Sequence, residues 1–409
     1  MPRQNDRSST FRGAFSYALP ATLALAATGC GADATSPPAT DDTRQALLNR
    51  AYVVNKDSDE LVVINLTKLE IIAKVPTGGI DNHMAELNAD FTKVYIDSSE
   101  THQTIVVDAV ALEVTKRITT GVHPTHLAMS RDGRLLAVMA EDDDAINFID
   151  PVKNELVKTL PGFYTPHFIR FSADGLYGYV ANIGANHLTR VDMTTLEIES
   201  HIPLEGFSGP PNATEAPGEG GFGDAQIDRT GMLYAAHNAT GRVLVYDTVA
   251  KAKRAELAVG VQPWVAFAEH PFANVPLRHL VPNFGDQTVS LINADVAPAV
   301  VGALPGDEEA YGVNFTSVAP DKAFVMNRIR EDIAVVDTES GAITSRIPVG
   351  GNTETAATTA DGKLIVAAVS GADKVVVIDA ATNEIVKEFE NVGKYPWSVT
   401  IPMGQNYCH

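Results

Sequence analysis

Residues 124–161 read PTHLAMSRDGRLLAVMAEDDDAINFIDPVKNELVKTLP, and four short strands are legible in them. PTHLAMS runs into a turn at Asp132-Gly133, and LLAVMA, AINFID and ELVKTL follow, each an apolar-rich run bounded by Gly, Asp or Pro. The third run closes on Asp150, and that signature recurs along the chain. It stands as VVIN at Asn65, VVD at Asp108, FID at Asp150, RVD at Asp192, VYD at Asp247, LIN at Asn293, VVD at Asp337 and VID at Asp379. Successive spacings are 43, 42, 42, 55, 46, 44 and 42 residues.

A period near 42 residues written in Val and Ile and broken by Gly and Asp is that of a four-stranded propeller blade, whereas helical solenoids of similar period lack the strand-forming residues. The turn recurs as SADG at Asp174 and TADG at Asp361. One such sheet cannot bury both faces, so blades must pack radially and the circle must close. The chain supplies the closure: it opens with a second-type strand, AYVVN from Ala51, and ends with a lone first-type strand, YPWSVTIP at 395–402, which completes blade one. The expected fold is therefore all-β, a β-propeller over residues 51–402. The count favours eight blades, with seven if the irregular unit around residues 260–295 is not a full blade.

With a Gly-x-x-Pro entry, a Ser-x-Asp-Gly turn and a Val-x-Val-Ile-Asp strand, the units resemble those of the YVTN-type β-propeller repeat proteins over nearly all of residues 51–402. That resemblance implies the fold and leaves function open, since one propeller scaffold hosts binders, scaffolds and enzymes.

Residues 1–29 read as a bacterial secretory signal: Arg3, Arg7 and Arg12, an apolar stretch at 14–27, then Thr28-Gly29. Cys30 follows Ala-Ala-Thr-Gly and precedes the polar GADATSPPATDD, which resembles a lipoprotein lipobox with Ala27 where Leu is usual. Cys30 would then be lipidated, with residues 30–50 as lipidated Cys and flexible tether. The expected place is the bacterial cell envelope, on the periplasmic or outer surface, touching membrane only through the lipid; ordinary cleavage to a soluble periplasmic protein is the alternative. The apolar stretch falls short of the ~20 residues that a spanning helix needs.

Removing residues 1–29 takes away three Arg and one Asp, so formal charge goes from −20 to −22. This acidity repels phosphate backbones and argues against nucleic acid. Beyond Cys30 the chain holds only Cys408, so no internal disulfide forms and stability rests on the core. A monomer is expected.

Aligning the units on the turn Asp places His83, Thr125, His167, Asn314 and Glu354 seven residues before it. Met84, His126, Phe168, Phe315 and Thr355 come one residue later, and Asp224 shares that second position. His102, His187 and His237 fall between second and third strands on the same side, and with His123 they bring seven of the eleven His to one face. Neutral imidazoles converging on a channel are what a copper, zinc or iron site requires. In outline this resembles the copper sites on the propellers of nitrous oxide reductase and thiocyanate dehydrogenase, although no run of paired His occurs here. The resemblance points to His83, His126 and His167 first, with His102, His187 and His237 behind them, and to copper or another transition metal.

The tail GQNYCH, residues 403–409 with Met403, sets Cys408 and His409 together as a weaker metal pair. It is expected at the far end of the ring, opposite the His face, unless it folds back into the channel. The segment at 206–223 is rich in Pro and Gly and reads as a lid or a surface insertion. Asp142, Asp143 and Asp144 lack calcium-loop spacing and read as a solvated turn. No nucleophile elbow, Cys-x-x-Cys-His or dinucleotide fingerprint is present. The leading expectation is an envelope propeller that binds a small molecule, a metal or an envelope protein at a His-rich channel mouth. A copper-dependent oxidoreductase, with Glu354 or Asp224 as proton acceptor, is the alternative, and a structural surface protein without a small-molecule site is the third.

Overall fold

The computed structural model describes residues 41–210, 220–268, 277–294, 297–306, 309–316, 318 and 322–407. The leader, Cys30, Cys408 and His409 lie outside the described residues, as do parts of the 206–223 segment. Eight antiparallel four-stranded sheets are present, one of them extended by a fifth strand. Their innermost strands are Pro396–Thr400, Asn82–Leu87, Pro124–Met129, Pro166–Phe171, Phe222–Ile227, Phe267–Ala268, Ala310–Phe315 and Thr353–Thr358. Each packs beside the next and the last beside the first, so they ring a central channel.

The recurrent terminal Asp has a local cause. Asp108 Oδ1 accepts the backbone N–H of Val110 (2.7 Å) and Ala111 (2.8 Å), and Asp379 Oδ1 does the same for Ala381 and Thr382 (both 2.9 Å). Asn65 substitutes for Asp, bonding the Thr67 and Lys68 amides. The carboxylate or amide thus closes the turn into the outermost strand. The other recurrent turn is held by Ser130 Oγ donating to Asp132 Oδ1 (2.8 Å), with Gly133 at φ 69°, where a side chain would be strained.

The middle strands read as unbroken apolar runs because neighbouring blades cover both faces. Val62, Val63 and Ile64 are all fully buried. Tyr52, Tyr95, Tyr179 and Tyr234 occupy second strands and are likewise buried; Tyr95 donates its hydroxyl to the Pro151 carbonyl (2.9 Å) of the next blade. The outermost strands are the free edges, and charge blunts them, as in AKRAELA at Ala252–Ala258.

Closure is as expected: Pro396–Thr400 pairs with Arg50–Asn55, matching Val399 to Val53 and Ser398 to Val54. The irregular sixth unit is a complete blade whose innermost strand is two residues long, which settles the count at eight. Two segments take more structure than their composition suggested. Within the segment read as a tether, Asp41–Leu48 is helical and buries Leu47 against blades one and two. The tail turns back and pairs along Thr353–Thr358, matching Gln405 to Thr358 and Asn406 to Ala357. Gln405 Oε1 accepts the Phe315 N–H (2.8 Å) and its Nε2 donates to the Ala268 carbonyl (3.1 Å), so the tail ties three blades together. No helix among the described residues is long and apolar enough to cross a membrane.

Candidate metal centre at the channel mouth

At the mouth most inner strands carry a register break: between Asn82 and Ala85, Pro124 and His126, Pro166 and Phe168, Phe222 and Ala225, Ala310 and Val313, and Thr353 and Ala356. Such breaks re-aim side chains and twist the strand. Counting from them, the first mouth position holds Trp397, His83, Thr125, His167, Gly223, Trp264, Tyr311 and Glu354 around the ring. Asn314, expected at this level, pairs with Phe324 as Glu86 pairs with Tyr95 and therefore sits three residues deeper along its strand. Thr316 takes the place of Ser130, its N–H bonding the Lys322 carbonyl as that of Ser130 bonds the Leu135 carbonyl, so counting back from Asp321 shifts the alignment.

Three consecutive blades bring their imidazoles into contact. Ring centroids of His83 and His126 are 4.9 Å apart and those of His126 and His167 are 4.1 Å apart. All three side chains are buried. Glu141 joins them: ligating atoms of His126, His167 and Glu141 lie within 4.8 Å of one another, the one such set among the described residues.

Thr125 organises this cluster. Its carbonyl accepts from His83 Nδ1 (2.7 Å), and its hydroxyl donates to Glu141 Oε1 (2.7 Å). The hydroxyl has one proton, already spent on Glu141, so it accepts from His126 Nδ1 (3.1 Å). Both imidazoles therefore carry the proton on Nδ1 and present the lone pair of Nε2. In His167 the Gly223 backbone holds the ring and Nδ1 is buried without a hydrogen-bond partner. Burial pushes His167 down to about 4, and burial, then the Lys56 charge, pushes His83 well below its ordinary value. Neutral imidazole at pH 7 is the ligating form. Nearby, Asp97 accepts the Met84 N–H, while its Oδ2 is buried and unpartnered; burial drives its carboxyl well above the usual range. Both tryptophans flank the cluster, Trp397 5.3 Å from His83 and Trp264 5.5 Å from His167.

The remaining His keep to their own surroundings. His102 bonds the Ser99 carbonyl (2.9 Å) on the rim, and His123 lies 3.4 Å from Asp142. His237 is satisfied by Asn186 (2.8 Å) and Thr240 (3.0 Å). His187 is buried with neither ring nitrogen bonded, edge-on to His201 at 4.7 Å. Asp143 and Asp144 accept the Val122 and Thr165 amides, tying their turn to the loops that enter Pro124–Met129 and Pro166–Phe171. Deeper in the channel, Asp224 pairs with Arg170 (3.2 Å) and Gln226 (3.1 Å), and burial raises its carboxyl. Burial also lifts the channel-lining Glu86 to about 7. Glu354 meets Arg328 (2.7 Å) through one oxygen and Asn352 and Tyr395 (both 3.1 Å) through the other.

Glu141, Thr125 and Asp97 were not among the ligands expected from sequence. Glu141 is the residue directly after the second strand, a position also held by Lys56, Phe284 and Arg328. Asp97 stands where other blades place Met139, Ala181, Ala236, Met326 and Ala368.

Residues 84–202, which include His126, Glu141 and His167, match the family model of the YNCE-like beta-propeller. No curated protein sequence matches the chain. Among solved structures it is similar to dihydro-heme d1 dehydrogenase NirN in complex with DHE, at 18% identity and TM-score 0.69, covering 87% of this chain and 75% of that one. It is also similar to apo AztD from Citrobacter koseri (11%, TM-score 0.62, 86% and 96%) and to Kuenenia stuttgartiensis hydrazine synthase (16%, TM-score 0.55, 81% and 93%). At these identities the likeness is one of fold.

Proposed function

We propose that this eight-bladed propeller is an extracytoplasmic, lipid-anchored binding protein that holds one divalent transition metal at its channel mouth through His126, His167 and Glu141. The observation that carries this reading is the convergence of those three ligating atoms to within 4.8 Å. Two neutral imidazoles and a carboxylate suit first-row metals, and the affinity order of such donors favours Cu²⁺ over Zn²⁺. His83 lies beside the set, and Thr125 fixes the tautomers of His83 and His126 and orients the carboxylate. The bound ion would act there as a Lewis acid or an anchor for a ligand oxygen. Envelope location and the lipid on Cys30 rest on the Arg-led apolar leader and the Ala-Ala-Thr-Gly-Cys sequence.

The metal reading is tested by calorimetric titration of chelator-treated protein with Cu²⁺ and Zn²⁺. One site is expected, with affinity lost in His126→Ala and in His167→Ala and kept in His102→Ala; equal behaviour of all three variants would sink it. Cys30→Ser should move the protein from the membrane to the soluble fraction, and retention in the membrane would contradict the anchor.

A further inference from the structure

A second concave site, of about 1010 Å³, opens beside the metal cluster between blades five, six and seven. Trp264, Phe284, Tyr311, Arg328, Gln262 and Asp286 contribute to its lining. That volume matches a ring-bearing organic molecule and far exceeds what an ion needs.

Its wall is a stack of flat groups. Phe284 and Tyr311 are parallel to within 2° with centroids 5.3 Å apart, and the Arg328 guanidinium lies 3.6 Å over the Tyr311 ring. Arg328 Nη2 is held by Glu354 (2.7 Å), so the stack is fixed before any ligand arrives. Arg328 Nε, in contrast, is a buried donor with no acceptor. A buried donor left unmade is costly, and a ligand oxygen relieves the cost. Parallel aromatic planes select another plane by offset stacking, and guanidinium selects carboxylate among oxygen acceptors.

We infer that this pocket binds a planar aromatic carboxylate, its ring against the Phe284–Tyr311 stack and its oxygens toward Arg328. Trp264 lines the pocket and also stands 5.5 Å from His167, so the occupant borders the metal cluster. The inference goes beyond metal binding and does not depend on it, because every group it uses lies outside the three ligands.

The test uses full-length, chelator-treated protein and three probes: pyrene-1-carboxylate, the neutral pyrene-1-methanol and the non-planar cyclohexanecarboxylate. Calorimetry should show one site for pyrene-1-carboxylate, about tenfold weaker binding of the alcohol and none of the cyclohexane acid. Phe284→Leu should weaken pyrene-1-carboxylate about fivefold. Arg328→Lys should erase its advantage over the alcohol while leaving the alcohol unchanged. The inference is overturned if pyrene-1-carboxylate shows no saturable binding, if acid and alcohol bind alike, if the cyclohexane acid binds as tightly, or if neither variant changes affinity. Loss of metal binding with these results intact would overturn the metal reading alone.

Discussion

The ring of His126 lies 4.1 Å from that of His167, centroid to centroid, although each belongs to a different blade. Neither strand could hold the pair alone; the closed circle of inner strands does. The contact places two imidazoles from adjacent blades against Glu141.

Thr125 touches both neighbouring imidazoles and Glu141 without belonging to the ligand set. Thr125→Val keeps the shape and removes the hydroxyl, so His126 loses its acceptor and Glu141 its donor. Zn²⁺ affinity measured by calorimetry should fall about 10- to 100-fold, with Thr125→Ser restoring most of it. Unchanged affinity in the Val variant would show that the hydroxyl positions nothing.

The chain has two tryptophans, and they stand at the two ends of the His cluster. One equivalent of Cu²⁺, a paramagnetic quencher, should therefore suppress most of the intrinsic tryptophan emission, and Zn²⁺ should not. Prior Zn²⁺ should delay the quenching. Emission untouched by stoichiometric Cu²⁺ would place any bound copper elsewhere.

His187 should make stability depend on pH. Burial holds it at about 4, against about 6.5 when unfolded. Between those values the unfolded chain takes up a proton that the folded chain refuses, so stability is lost as pH falls through the window. His187→Leu removes both unbonded nitrogens and that penalty. Thermal unfolding should show a gain of about 1 kcal/mol at pH 7.5, larger at pH 5. Glu86, lifted to about 7, has the opposite sign: it costs stability as pH rises from about 4.5 to 7. Glu86→Gln should therefore help most at pH 8. A His187→Leu gain that is flat with pH would refute the assignment.

Gly223 holds the one mouth position without a side chain, and a Cβ there would stand 2.6 Å from the Trp264 carbonyl oxygen and 2.7 Å from its ring. Gly223→Ala should displace Trp264, destabilise the fold by about 1–3 kcal/mol and shift the emission maximum. A variant with wild-type stability and spectrum would mean that the two blades yield without strain.

The fold was legible because each blade repeats its own turn chemistry: Asp108 and Asp379 close equivalent turns, and the spacing between such residues is the blade. His83, His126 and His167 were legible for the same reason, being fixed by their distance from the next turn. Asn314 was misplaced because Val318, not Asp321, stands two residues beyond Thr316, where the turn Asp132 stands beyond Ser130. Glu141 and Arg328 escaped because an alignment on inner strands does not see the residue that leaves the second strand, and the register breaks that aim the mouth side chains leave no mark in composition. The return of Gln405 and Tyr407 into the ring depends on contacts with Ala268 and Phe315, 90 to 139 residues away, which no local pattern records.

The metal content of the full-length protein, purified without chelator or His-tag and read by elemental mass spectrometry beside the His126→Ala/His167→Ala double variant, decides whether the channel mouth holds an ion. The expected result is close to one transition-metal ion per wild-type chain, copper foremost, and none in the double variant with its unfolding transition intact. A wild-type protein that is metal-free and cannot be reloaded, or a double variant that keeps its metal, would contradict it.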